Sequence, residues 1–340
     1  GIADAAGSIS MGTSHSCAVV SDGIKCWGNN SKGQLGDTTT TQQDTPVYVN
    51  GQEPALAVAV GGLHTCGLLT TGQVKCWGDN FYGQLGDGAT ARSLVPVGVT
   101  DITGVDAGTS ASGIAVGQNH SCAVMYDTGL AKNLVKCWGS NFDGQLGDGT
   151  TTQPLTPVIV KEYDDTTYTA THTLVDVVAV SAGINFTCAL IDDGMVRCWG
   201  SGSAGRLGNG ASIPRPAAVT VSGIVGADAA TTATAIAAGG DHACALMQNG
   251  AIKCWGAGGY GQIGDLANSS NTTPATVYGI GNAALANNAA IAVGAGGLHT
   301  CAVLAKGNMR CWGNNGYYQL GDGTNTDSNR PLGVDQLDYP

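Results

Sequence analysis

Apolar residues in this chain come in short runs broken by glycine, and the helix formers Glu, Lys, Arg and Leu are scarce. ALAVAVGG (55–62) and LVDVVAVSAG (174–183) are each followed by a second run, HTCGLL (64–69) and FTCALI (186–191). A turn with Asp-Gly, Thr-Gly or Asn-Gly then leads into a third run such as QVKCWG or AIKCWG. A Gly-rich segment ending in GQLGDG follows, and a Pro-started run such as TPVYV (45–49) or TPVIV (156–160) closes the unit. Four alternating or β-branched runs punctuated by turn residues predict a four-stranded antiparallel sheet.

The unit occurs six times. Cys-Trp-Gly stands at 26–28, 76–78, 137–139, 198–200, 254–256 and 311–313, which accounts for all six tryptophans, with a period of about 50 to 65 residues. One such sheet cannot bury both faces alone. Six arranged radially can, and a closed ring removes exposed sheet edges. The expectation is an all-β, six-bladed β-propeller occupying residues 1–340 as a single domain. A linear solenoid is the competitor, but it needs polar capping repeats, and the first and last copies are as complete as the others. The chain begins just before a Cys run and ends just after a Pro-started run, so pairing of the termini could complete a blade. The opening GIADAAG reads as a mature product or an excised domain.

Composition narrows the partners. Only 11% of residues are charged, 54 are glycine, and the net charge is −11 with a pI near 4.7. A nucleic-acid polyanion would be repelled, and no Lys/Arg cluster offers a local exception. No apolar run approaches the ~18 residues of a membrane span.

The pattern G-x-x-H-[ST]-C-A-L, then V-K-C-W-G-x-N-x-x-G-Q-L-G-D-G-T, then T-P-V-x-V resembles the regulator of chromosome condensation repeat, over nearly the whole chain. The resemblance implies a β-propeller. The chain departs from the founding member in having six repeats against the usual seven, an acidic balance and a cysteine pair in every repeat. The Cys-Trp-Gly version is most similar to repeats of bacterial extracellular proteins. A fold hosts many functions, so function is argued from the residues.

The cysteines fall in six pairs: Cys17 with Cys26, Cys66 with Cys76, Cys122 with Cys137, Cys188 with Cys198, Cys244 with Cys254, and Cys301 with Cys311. Each pair flanks one turn. Across a hairpin the two positions sit opposite each other within disulfide reach. Zinc is the rival, but two thiolates without C-x₂-C spacing do not make a four-ligand site. Six intra-blade disulfides are expected, hence an oxidising, secreted or cell-surface destination. In the third copy the longer gap, DTGLAKNL, extends the hairpin tip.

His15, His64, His120, His242 and His299 occupy one slot, filled by Phe186 in the fourth copy. A metal funnel would be broken there, so a structural hydrogen bond to a neighbouring loop is expected. Asp37, Asp87, Asp148, Asp265 and Asp322, with Asn209 in the fourth copy, end the Gly-Gln-Leu-Gly motif. One carboxylate per blade falls short of calcium's six to eight oxygens, which leaves turn-stabilising side chains. The tryptophans are expected between blades. Asn29, Asn119, Asn185, Asn268 and Asn271 fit N-x-[ST], and the runs Thr38–Thr41 and Thr150–Thr152 are candidates for O-glycans. No metal, cofactor or catalytic constellation emerges: the chain has no G-x-S-x-G elbow, no H-E-x-x-H and no phosphate loop.

The positions the repeat leaves free are candidates for recognition: Phe81, Tyr82, Phe142, Tyr260, Tyr317 and Tyr318 on one rim, and Tyr163 and Tyr168 in the insertion KEYDDTTYTATHT (161–173), otherwise a passive surface loop. The sequence therefore points to a secreted, non-enzymatic scaffold, adhesin-like or inhibitor-like, that binds a protein through variable rim loops. The alternatives are a self-assembling or decorating subunit of an extracellular filament or surface layer, with copies of itself as partner, and a hydrolase with a central-channel site. Glycan is a further possible ligand.

Overall fold

The computed structural model describes residues 8–164, 169–281 and 288–335. Among the described residues strands dominate, and the helical content is limited to two 3-10 turns (Ala107–Thr109 and Ser203–Gly205). The first sheet comprises β1 (Ser8–Met11), β2 (His15–Val20), β3 (Gly23–Gly28) and β4 (Gln43–Tyr48). The second comprises β5 (Ala55–Val60), β6 (His64–Leu69), β7 (Val74–Gly78) and β8 (Ser93–Gly98). The third holds β9 (Ala111–Val116), β10 (His120–Asp127), β11 (Lys132–Gly139) and β12 (Val158–Ile159). A hairpin follows, β13 (Lys161–Tyr163) and β14 (Ala170–Thr173).

Next come the four strands β15 (Val177–Ala182), β16 (Phe186–Ile191), β17 (Val196–Gly200) and β18 (Arg215–Thr220). The fifth set is β19 (Ala233–Ala238), β20 (His242–Met247), β21 (Ile252–Gly256) and β22 (Asn271–Thr276). The sixth is β23 (Ala290–Ala295), β24 (His299–Leu304), β25 (Met309–Gly313) and β26 (Ser328–Gly333). Within each set neighbours in sequence are neighbours in space, and all described pairings are antiparallel. These are the four-stranded blades of a six-bladed β-propeller, as the repeat requires. The chain forms two compact units, residues 1–180 and 181–340.

The cysteine pairs form as the hairpin spacing predicts. Cys17 bonds to Cys26, Cys66 to Cys76, and Cys122 to Cys137. In the second unit Cys188 bonds to Cys198, Cys244 to Cys254, and Cys301 to Cys311. The two members of each pair lie directly opposite across the second and third strands of one blade, with Cα–Cα 4.1 Å. No cysteine is free. The sequence separations of 9 to 15 residues correspond to a chain-entropy stabilisation of ~3 kcal/mol each. The third blade's longer hairpin is paired to its tip, Asp127 opposite Lys132, so its extra residues are strand.

The second strands β6 and β20 are buried along their whole lengths, because their blades have neighbours within their own unit on both faces. The fourth strands β4, β8 and β22 are edges of their sheets, and Pro46, Pro96 and Pro274 lie in them without removing a ladder hydrogen bond that the core needs. The glycine after each Trp has a specific cause. Gly78 sits at φ 103, where the register to the outer strand shifts, and a Cβ there would lie 2.6 Å from the Leu63 carbonyl oxygen.

Within the insertion at 161–173, β13 and β14 pair antiparallel, Lys161 opposite Thr173 and Glu162 opposite His172, where a surface loop is the expectation from sequence. The β-branched Thr171 and Thr173 suit this pairing.

Candidate recognition rim

The residues that join blades account for most of the repeated polar motif. In the first unit, His15 Nε2 lies 2.8 Å from the Thr65 hydroxyl, which itself donates to the Gln34 carbonyl at 2.8 Å. The indole N–H of Trp77 donates to the same carbonyl at 2.9 Å. One blade thus supplies His and Gln, and the next supplies the hydroxyl and the Trp. The second and third blades repeat this with His64, Ser121, Gln84 and Trp138. In the second unit, the fifth and sixth blades repeat it with His242, Thr300, Gln262 and Trp312.

Because the hydroxyl hydrogen is committed to the carbonyl, each ring must donate from Nε2, and Nδ1 is left as a bare acceptor. The Nδ1 atoms of His15, His64 and His242 are buried without a partner. Burial lowers the pKa of His15 to about 4 and that of His64 to about 3, the latter helped by the neighbouring His120 and His15. His242 is lowered to about 3 by burial and by His299. These are neutral structural histidines whose partners are strand hydroxyls of the next blade, where the sequence suggests a loop. Among the described residues no group of three or more His, Cys, Asp or Glu is placed to hold a metal ion.

The fourth-to-fifth blade junction is built differently. Phe186 replaces His, and the next blade offers Ala243 where the others have Thr or Ser. Arg206 replaces Gln; its carbonyl still accepts from the Trp255 indole at 3.0 Å, while its guanidinium pairs with Asp241 at 2.8 Å and lies 6.0 Å from the centre of the Phe186 ring. The chain exchanged both partners of the hydrogen bond for apolar groups, so neither is left unmatched.

At these junctions the Trp packs on the preceding blade's Gly-Gln-Leu-Gly turn. Gly36 (φ 68) and Gly86 lie under Trp77 and Trp138, where a Cβ would come within 2.8 and 2.7 Å of the indole. The turn is held from inside by one asparagine. Asn80 Oδ1 accepts from Leu85 N–H, and its amide donates to Asp87 and to the Ala89 and Ala91 carbonyls. Asn30, Asn141 and Asn315 do the same in their blades. In the fourth and fifth blades Gly202 and Gly258 replace it, and the carbonyls of Ile213 and Ser269 sit 1.9 Å from where a Cβ would be. The aspartates cap turns, Asp87 Oδ1 accepting from Ala89 N–H and Asp148 Oδ1 from Thr150 N–H.

On this fixed frame the free positions face outward. Phe81, Phe142, Tyr317 and Tyr318 are 71, 63, 89 and 64% exposed, and Tyr260 is 44% exposed. Tyr318 occupies the glycine position of its turn at φ 63. In the first unit three of these residues meet: Phe81 and Tyr82 stack edge-to-face with centroids 4.9 Å apart, and Tyr82 and Phe142 do so at 5.7 Å. Tyr163 is half-buried on β13, and Tyr168 lies outside the described residues. Of the sequon asparagines, Asn29 Oδ1 accepts from the Ser31 N–H and hydroxyl and from Gln34, and Asn271 donates to Asp265. Asn268 is exposed with no such bond.

Profile matches cover the repeated core. The family described as "Regulator of chromosome condensation (RCC1) repeat" matches residues 8–34, 56–84, 111–145, 177–206, 233–262 and 290–319, and a second profile of the same description matches 26–68, 71–124, 135–190 and 193–246. The chain belongs to the RCC1 repeat family. Similar family members include the Ultraviolet-B receptor UVR8 of Arabidopsis thaliana, 29% identical over 96% of this chain and 69% of that protein. A second is the mitochondrial RCC1 domain-containing protein RUG3 of the same plant, 30% identical over 92% and 66%. The chain thus spans about two thirds of the length of these relatives. Among solved RCC1-like folds, human WBSCR16 superposes with TM-score 0.79 at 22% identity, over 98% of this chain and 82% of that one. Yeast Prp20 superposes with TM-score 0.75 at 20% identity, over 96% and 76%. No described helix is long and apolar enough to cross a membrane.

Proposed function

We propose that this chain is a non-enzymatic protein-interaction scaffold whose recognition surface is the rim formed by the loops between the third and fourth strands. The observation that carries the reading is the exposed triad Phe81–Tyr82–Phe142. Its frame is repeated from blade to blade, whereas the outward residues differ. Large aromatics held rigidly at low entropic cost are the commonest anchors of protein interfaces. Membership of a family that includes a receptor, UVR8, supports a binding role. We further propose that the protein works outside the cell or at its surface, since six disulfides and no free thiol suit an oxidising compartment.

Crosslinking pull-downs from the native source test the rim, comparing the wild-type chain with the double variant Phe81→Ala plus Phe142→Ala. The expected result is a partner retained by the first and lost by the second; retention by both overturns it. Alkylation of the natively isolated protein before reduction tests the compartment, because titratable thiols would be incompatible with export.

A further inference from the structure

We propose that the aromatic triad takes a lysine- or arginine-bearing apolar segment of a partner protein. This rests on the rim reading above and specifies the chemistry of its ligand. The central ring, Tyr82, is half-buried and flanked edge-to-face by Phe81 and Phe142, at interplanar angles of 89° and 88°. That geometry leaves the two outer phenyl groups mostly in water. A ring face carries negative potential, so it attracts a guanidinium or ammonium group as well as an aliphatic stem. Beside them Leu155, 37% exposed, packs over Gly83 and extends the apolar area.

The surrounding charge has one dominant sign. The three rim turns of the first unit, residues 29–37, 79–87 and 140–148, contain Asp37, Asp79, Asp87, Asp143 and Asp148 against Lys32 alone. Lys32 is turned to Asp79 at 3.5 Å, and Arg92, just beyond the second turn, points to the Ser31 carbonyl at 3.5 Å. Asp143, next to Phe142, has no hydrogen bond or ion pair to its carboxylate among the described residues; only its backbone N–H is engaged, by Gln145. An apolar aromatic centre with an acidic surround and one free carboxylate is complementary to an aliphatic segment flanked by cations. An acidic segment, or a nucleic acid, would meet repulsion in the same place.

The test uses the full chain and two fluorescein-labelled peptides, one of repeated Gly-Lys-Leu-Lys units and a twin with Glu for Lys, read by fluorescence anisotropy. The lysine peptide is expected to bind and the glutamate twin not. Phe142→Ala should weaken binding about tenfold or more, and Asp143→Asn about threefold, with a further loss as salt rises. Both side chains project from the frame, and an unchanged melting temperature confirms that each variant is folded. Absence of binding by the lysine peptide, equal binding by the twin, or binding indifferent to Phe142→Ala each overturns the proposal. A natural partner that needs Phe81 and Phe142 but ignores salt would overturn this inference and leave the rim reading standing.

Discussion

Two kinds of blade junction coexist in this molecule, and they solve one problem in opposite ways. Where His15 meets Thr65, His64 meets Ser121 and His242 meets Thr300, a buried polar pair is completed by a backbone carbonyl of the preceding turn. Where Phe186 meets Ala243, the polar pair is gone and an ion pair between Arg206 and Asp241 lies beside it. Trp255 nevertheless donates to the Arg206 carbonyl as Trp77 does to that of Gln34. The indole-to-carbonyl bond is therefore the shared joint, and the histidine is one of two interchangeable fillings. The His slot tolerates either filling because both halves change together; a half-change leaves a buried group unmatched.

Acid should separate the two fillings most strongly. In the folded protein burial holds His15 at about 4 and His64 and His242 at about 3, below the ordinary 6.5. As pH falls below about 6.5 the unfolded chain takes up protons that the folded chain refuses. Stability is therefore complete near neutral pH and falls by about 1.4 kcal/mol per pH unit for each such histidine until the folded pKa is reached. Converting one relay to the apolar filling, His64→Phe with Ser121→Ala, should flatten the pH dependence of urea unfolding between pH 6 and 4 by about one proton. An unchanged slope would mean that His64 is not a buried neutral group.

Removing the shared joint should hurt both kinds alike. Trp138→Ala and Trp255→Ala each excavate a fully buried indole and should cost about 3–5 kcal/mol in denaturant unfolding. A large inequality between them would show that the junctions do not share this bond. Phe186→His alone should cost about 1–3 kcal/mol, since its Nε2–H would face Ala243, and adding Ala243→Thr should return about 1 kcal/mol of it. A double-mutant cycle with no coupling would break the idea of paired exchange. The smallest effect belongs to the rim: Phe142→Ala should change stability by only about 0.5 kcal/mol, because the ring is mostly in water.

The repeat made the blades and the disulfide pairing legible, because the spacing from Cys66 to Cys76, or from Cys301 to Cys311, around one turn is local information. The partners of the histidines were not, since Thr65 lies 50 residues from His15 and Thr300 lies 58 from His242. The direction of Trp packing, back onto the preceding turn, was hidden for the same reason. One further signal does lie in the sequence. The residue after each His slot is Ser16, Thr65, Ser121, Thr187, Ala243 and Thr300; the single loss of a hydroxyl falls one repeat after the single loss of histidine. The glycines at 202 and 258 were equally readable as departures from the asparagine, but their cause, an intruding carbonyl, is a property of loop path that spacing does not carry. The aromatic triad was half legible: its members stood out as variable positions, while the meeting of Tyr82 with Phe142 across two blades required the fold.

The four indole hydrogens bound to the carbonyls of Gln34, Gln84, Arg206 and Gln262 have a practical consequence. Each exchanges with deuterium only when its own seam opens. These four seams thus each carry an internal clock, and four exchange rates from a single sample would rank them by opening free energy without a single substitution.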